Sequence, residues 1–152
     1  MELESVKRFL EKNGPENASI IDGMPSCFFE YMALQGLCLD LMEPGRIICS
    51  MKVHPRLLNS GNSMHGGVIA TLVDIVGSAV LYTAGVPSSG VSVEINVSFL
   101  NPVFDEEMEM EAKSLRVGKS LAVVSVELRN KSTGKIIALG RHTKFLSISS
   151  KL

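Results

Sequence analysis

The sequence predicts an α+β domain in which an antiparallel β-sheet wraps around one long buried helix, at about residues 65–84. Three observations carry the prediction. From Val68 to Ala84 the chain carries a single charged residue, Asp74, in a mostly apolar run, and a helix that is apolar nearly all round is a buried helix. Ahead of that run, a segment of strand period turns at Glu43-Pro44-Gly45 and returns, the pattern of a hairpin. Behind it, from Val91 almost to the end, apolar and polar residues alternate with period two. Strands and helix are segregated along the chain, and the apolar face of the strands needs the helix to cover it.

Each element follows in order. Leu3, Val6, Phe9 and Leu10 have helical spacing, and Asn13-Gly14-Pro15 stops that helix. Ala18 to Tyr31 is rich in turn formers, with Phe28, Phe29 and Tyr31 expected in a short helix that plugs one end of the core. Residues 1–30 are accordingly a flank, and the domain proper is expected over residues 31–149. Leu37, Leu39 and Leu41 alternate with Cys38, Asp40 and Met42, and Arg46 to Val53 is the return strand. His54-Pro55 ends it, because proline cannot donate to a ladder and restricts the residue before it. Arg56 to Ser63 is a loop, and Gly85-Val86-Pro87 closes the central helix. Val91, Val93, Ile95, Val97 and Phe99 are expected on one face of the next strand, with Ser92, Glu94, Asn96 and Ser98 on the other. Asn101-Pro102 interrupts. Met108, Met110 and Ala112 then alternate with Glu107, Glu109 and Glu111; Val117-Gly118-Lys119 turns; Ala122, Val124, Val126 and Leu128 alternate again; and Lys135 to Ile148 is the last strand.

Composition narrows the class. A chain of 152 residues fits one domain with a proper core. A net charge of −1 argues against binding nucleic acid or a membrane surface through overall charge. With 45% hydrophobic and 20% charged residues the chain is greasy for a small monomer, and part of its surface is expected to be covered by a partner chain. Cys27, Cys38 and Cys49 have no metal or redox spacing and are expected as free thiols in a reducing compartment, with Cys38 and Cys49 in the core. His54, His65 and His142 form no pair at ligand spacing, so no metal is expected. The N-terminus has no apolar signal region. The run Val68–Ala84 is at the short limit for a bilayer and carries Thr71, Asp74, Gly77 and Ser78 towards its middle, so it is expected as a buried helix and not a span. The last residues, Ser150-Lys151-Leu152, form the tripeptide that the peroxisomal import receptor reads, which gives an expected peroxisomal location with the cytosol as the alternative.

The central stretch also holds the chemistry. Gly66 and Gly67 fall where the helix begins. A helix start offers unpaired N–H groups and the positive end of the dipole, and glycine lets a ligand approach them closely. Such N–H groups can polarise a carbonyl and hold the oxyanion formed when it is attacked; alternatively the glycines only start the helix tightly. Asp74 is the other singular residue, either a base or a structural acid bonded to a nearby hydroxyl or amide. It lies eight residues past Gly66, about 12 Å along the axis at the usual rise. One carbonyl cannot touch both on the same helix. If both serve one site, a two-fold dimer with antiparallel helices must supply the second half.

The pattern Asn59-x5-His65-Gly66-Gly67-x6-Asp74, with Val91-Ser92-Val93-Glu94-Ile95-Asn96, Gly118-Lys119-Ser120-Leu121 and Gly140-Arg141-His142-Thr143-Lys144, resembles the hotdog-fold acyl-CoA thioesterases. Within them it resembles the small single-domain branch of animal acyl-CoA thioesterase 13 and the phenylacetate-pathway thioesterases, over about Leu34 to Phe145. The resemblance implies that the Gly66 N–H and the Asn59 side chain bind and polarise the thioester carbonyl. It implies that Asp74 of the partner subunit acts on water as general base, or attacks directly to form a mixed anhydride. Ser92 would orient that water, and His65 would shape the helix start and contact the oxygen or sulfur region of the thioester. The coenzyme A part of the substrate would run past Gly67, along Phe99, Leu100, Asn101, Pro102 and Val103, and over the turn Arg116, Val117, Gly118, Lys119, Ser120 and Leu121. Arg141 and Lys144 would be phosphate ligands, while Phe145 departs from the basic or polar residue of the animal relative. No cofactor is implied, since coenzyme A is part of the substrate.

The expected partners are therefore an acyl-CoA and further copies of the chain, a dimer with shared sites and, by resemblance, a tetramer. A hotdog hydratase or dehydratase is the competing enzyme class, but those place an Asp/His or His/Glu pair differently. A non-catalytic acyl-CoA binder is the other alternative, and it has no need of a buried base. Whether the acyl group is fatty or aromatic, such as 1,4-dihydroxy-2-naphthoyl, stays open.

Overall fold

The structure, a computed structural model, describes residues 3–11 and 19–146. The tripeptide Ser150-Lys151-Leu152 and the expected helix stop at Asn13-Gly14-Pro15 lie outside the described residues. The chain divides into two compact units, Met1–Met32 and Ala33–Leu152. The first contains helix α1, Leu3–Glu11, with no buried residue. Helix α2, Phe28–Leu34, forms as expected, but its buried residue is Ala33. Phe29 and Tyr31, expected to be covered, are exposed.

The second unit is a six-stranded antiparallel sheet with one long helix laid across it. The strands are β1 (Cys38–Glu43), β2 (Arg46–Lys52), β3 (Val91–Phe99), β4 (Glu107–Val117), β5 (Leu121–Asn130) and β6 (Ile136–Phe145), in the order β1-β2-β4-β5-β6-β3. Helix α3, Gly66–Thr83, connects β2 to β3 and carries the chain from one side of the sheet to its far edge. The alternation read from sequence sets the core. Met108, Met110 and Ala112 on β4 and Ala122, Val124, Val126 and Leu128 on β5 are buried against α3, which contributes Val68, Ile69, Leu72, Val73, Val76, Val80 and Leu81. By length and composition α3 would cross a membrane, but this apolar face is packed on the sheet. Gly140 marks the closest approach. A Cβ there would lie 2.7 Å from the Val73 Cγ2 atom, so only glycine lets β6 pass under the helix.

Two expectations need correction. Cys49 is buried, but Cys38 is exposed, because β1 is an edge strand whose ladder to β2 is irregular between Leu39 and Leu41. The alternation of β3 is also broken. Its register to β6 shifts between Ser92 and Glu94: Ser92 lies opposite Lys144, whereas Ile95 lies opposite His142 and Phe99 opposite Ala138. Lys144, His142 and Ala138 are all buried beneath the helix. A β-bulge, which sets two residues against one, thus puts Ser92 on the same face as Ile95, Val97 and Phe99. Strict alternation would have put it on the opposite one.

β3 is the far edge of the sheet. Among the described residues no strand lies beside its outer N–H and C=O groups, and Ile95 and Phe99 on its helix-side face remain 37% and 57% exposed. A nine-residue apolar edge of this kind is a surface that proteins cover.

Candidate active site

The first half of the site is the start of α3. The preceding loop is fixed by Asn59, whose Oδ1 accepts hydrogen bonds from the N–H of Gly61 at 2.9 Å and of Ser63 at 3.2 Å. Its Nδ2 donates to Ser63 Oγ at 3.2 Å. Backbone bonds from Met64 N to Val103 O and from His65 N to Leu57 O, both 2.8 Å, hold the helix entry. His65 is the N-cap, and its Nδ1 accepts from Gly67 N–H at 2.8 Å. A Cβ on Gly67 would come within 3.0 Å of that ring nitrogen, which accounts for the glycine. Among the described residues the N–H of Gly66 has no acceptor. It is a free donor at the positive end of the helix dipole.

Gly66 lines a cavity of about 370 Å³ together with Asn59, Ser63, Met64, Ile69 and the segment from Phe99 through Leu100, Asn101 and Pro102 to Val103. The structure therefore brings Asn59, Gly66 and the Phe99–Val103 segment together. The Phe99 ring would lie 3.3 Å from a Cβ on Gly66.

The second half lies further along α3. Ser92 Oγ donates to Asp74 Oδ1 at 3.2 Å, and His142 Nε2 stands 2.8 Å from the same hydroxyl and 3.6 Å from Asp74 Oδ1. A carboxylate only accepts, so the single hydroxyl proton of Ser92 goes to Asp74. Ser92 must then accept from His142, which assigns the proton of the neutral ring to Nε2. The other ring nitrogen, Nδ1, is buried without a partner against Gly77. Burial lowers the His142 pKa below its ordinary value, the Asp74 charge opposes that, and Lys144 adds to it. The net direction keeps the ring neutral at pH 7. Asp74 is not sequestered, since its side chain is 45% exposed. The cluster presents the Asp74 side chain to the surface, bonded from below by Ser92.

Sequence reasoning missed His142. The signal was there: it sits on β6 in phase with Ala138 and Gly140, so it had to point into the core. A core histidine asks for a partner.

The remaining expected residues divide in two. The turn Arg116, Val117, Gly118, Lys119, Ser120 and Leu121 is closed by Gly118 N to Leu121 O at 2.8 Å, with Arg116 and Lys119 exposed. Leu121 pairs with Phe145 at one end of β6, while Phe99 pairs with Ala138 at the other. From Ala138 to Phe145 is a strand span of about 24 Å, so one chain does not bring that turn to the Phe99–Val103 segment. Arg141 is exposed. Lys144 departs from its expected place. It is only 4% exposed, and its Nζ donates to Ser78 Oγ at 2.7 Å beneath the helix, where a nucleotide phosphate does not reach it.

A second cavity, about 680 Å³, lies between α3 and the β1–β2 hairpin. Leu37, Leu39, Met42, Ile47, Ile75, Ala79 and Tyr82 make its walls almost wholly apolar.

This fold has known counterparts. Residues 61–137 match the family model described as "Thioesterase superfamily". Acyl-coenzyme A thioesterase 13 of Homo sapiens is 44% identical over 104 residues, 68% of this chain and 74% of that protein. The zebrafish thioesterase superfamily member 2 structure superposes with a TM-score of 0.76 at 32% identity, covering 97% of this chain and 99% of that one. The Mus musculus member 2 structure gives a TM-score of 0.74 at 37% identity over 88% and 99%. The chain belongs to the thioesterase superfamily and has the hotdog fold of that family.

Proposed function

We propose that the protein hydrolyses acyl-CoA thioesters to the free acid and coenzyme A, in sites that two antiparallel chains build together. Membership of the family and 44% identity to a protein named acyl-coenzyme A thioesterase 13 support the reaction. One observation carries the shared site: the two half-sites sit at opposite ends of the same uncovered edge strand. Gly66 packs at Phe99, and Asp74 is bonded to Ser92. Antiparallel pairing of β3 with β3 of a second copy exchanges these ends. Phe99 and Gly66 of one chain then come beside Ser92 and Asp74 of the other. The same operation carries the turn at Leu121 towards the partner's Phe99–Val103 cavity, because Val91 and Leu121 both pair with Phe145. The surface that needs a cover and the half-sites that need each other are satisfied by one two-fold axis.

In that arrangement the free N–H of Gly66 and the Asn59 amide polarise the thioester carbonyl, and Asp74 takes a proton from the attacking water. Ser92 and His142 hold the carboxylate in place. Donors of this kind act most strongly where charge develops in the transition state. The departing thiolate needs no strong acid. An aliphatic acyl chain fits the apolar cavity beside α3, whose wall includes Ile75, the residue after Asp74. Exposed Val91, Phe145 and Leu121, side by side across three strands, form an apolar strip on the outer face that supports a pair of dimers.

The test is thiol release from an acyl-CoA series, with light scattering on the same samples. The wild type is expected to be active and at least dimeric, and Asp74→Asn to be dimeric and slower by about 10²- to 10⁴-fold. An active monomer, or activity that survives Asp74→Asn, contradicts the assignment.

A further inference from the structure

Lys144 is a buried cation that the reaction above does not use. It is 4% exposed, and among the described residues no carboxylate lies within ion-pair distance of its ammonium. The polar group it touches is Ser78 Oγ, at 2.7 Å. A lysine in this state is costly unless its charge has a task. Its position suggests one. Ser78 is one helical turn beyond Asp74, Lys144 lies directly across the ladder from Ser92, and His142 is two residues before it on the same face of β6. The five groups make two rungs, Asp74 with Ser92 and His142, then Ser78 with Lys144.

We infer that Lys144 is a positioning residue for the hydrolytic base. Its ammonium, clamped by Ser78 behind the Asp74–Ser92–His142 cluster, disfavours a second positive charge there and so holds the cluster in its bridging arrangement. Every neighbour is consistent with this. The groups facing His142 are Asp74 and Gly77 from α3, Ser92 and Ile95 from β3, Val124 and Val126 from β5, and Lys144 from its own strand. Those facing Lys144 are Ser78 from α3, Ser92 from β3 and Ala122 from β5, with Tyr82 near enough to feel its charge. Asp74 and Lys144 are thus the two opposite charges between which the histidine sits, and the lysine opposes its protonation. Without the lysine the cluster would take up a proton from solvent at higher pH, on the carboxylate or the ring, and would lose its bridging arrangement.

The inference rests on the hydrolase reading, and its test separates the two. Wild-type activity on an acyl-CoA is established first; its absence refutes the reading above and not the role of the lysine. The kcat/KM profile is then measured from acid to neutral pH for Lys144→Met, Lys144→Arg and Ser78→Ala, with thermal melts as the check on folding. In Lys144→Met the acid limb is expected to move up by about one pH unit, a tenfold loss at a fixed pH on that limb. Lys144→Arg keeps the charge and the wild-type limb. Ser78→Ala frees the ammonium and moves the limb in the same direction by less. In parallel, the His142 ring followed by NMR, a readout that needs no turnover, titrates at higher pH in Lys144→Met than in the wild type. A folded Lys144→Met with an unmoved limb and an unmoved histidine overturns the inference. So does equal loss in Met and Arg variants without a shift, which is the signature of a packing role. If Lys144→Met fails to fold, an unmoved limb in Ser78→Ala overturns it alone.

Discussion

Two inactive variants, each crippled in a different half-site, should restore each other when mixed. Asn59→Asp keeps the oxygen that accepts from Gly61 and Ser63 and removes the amide, which donates to Ser63 Oγ at the wall of the Gly66 cavity. Asp74→Asn keeps the shape of the second half and removes the base. Each homodimer carries two copies of the same defect and is expected to lose about 10²-fold or more. Gly66 and Asp74 of one chain lie eight residues apart on one helix, about 12 Å, so a working site draws on both chains. In a mixed dimer, one site combines both defects and the other combines both intact halves. Random exchange makes about half of the dimers mixed, each with one of its two sites intact, so the mixture recovers about a quarter of wild-type activity. Co-expression with two different tags, tandem purification and thiol release measure this directly. Tandem-purified heterodimers no faster than the parent homodimers would show that each site lies within one chain.

Three further outcomes follow from the packing. His142 has its pKa lowered by burial from an ordinary value of 6.5, so the folded state binds fewer protons than the unfolded chain below that pH. Its contribution to stability is complete above 6.5 and is lost as pH falls towards the folded value; denaturant melts of the wild type should weaken over that window, and His142→Gln should flatten the slope. Gly140→Ala places a Cβ 2.7 Å from Val73 Cγ2 and 2.8 Å from Cγ1. The β-branched neighbour cannot swing away, and overpacking costs about 1–3 kcal/mol, seen as a fall in melting temperature; an unchanged melt contradicts the close approach. Ala79→Phe fills the apolar cavity beside α3 and should lower kcat/KM for long acyl chains relative to short ones, whereas an unchanged ratio means that the chain lies elsewhere.

How far the sequence could be read depended on which residues decided each feature. The alternation of Met108, Met110 and Ala112, and of Ala122 through Leu128, is local and unbroken, and the structure buries each of them. α3 was equally plain, because eighteen residues with a single charge leave no second way to bury them. The β3 bulge was not legible. Nothing in Val91–Phe99 marks the slip, which is set by how Ser92 and Glu94 meet Lys144 and Thr143 on a strand some fifty residues away. The cost was real: strict alternation turns Ser92 away from the helix, and with it the hydroxyl that ties Asp74 to His142. Lys144 failed for a related reason. The resemblance made it a phosphate ligand, and only the parity it shares with Ala138, Gly140 and His142 contradicts that.

The polar row beneath α3 also explains why so greasy a helix tolerates Asp74. A carboxylate that had to be neutralised in full would be a poor base, and one left wholly in the core would take up a proton. Here the acid is 45% exposed and bonded by a neutral serine. The histidine behind it is held uncharged, and the lysine is one turn further on. Each partner steadies the carboxylate without a direct ion pair to quench it. A charged histidine against Asp74 would remove that balance, because a close cation lowers the basicity on which proton abstraction depends. The same reasoning accounts for burying Lys144 on the second rung and not beside the acid. At that remove it biases the proton equilibria of the cluster and leaves the free face of Asp74 to whatever the second chain brings to it.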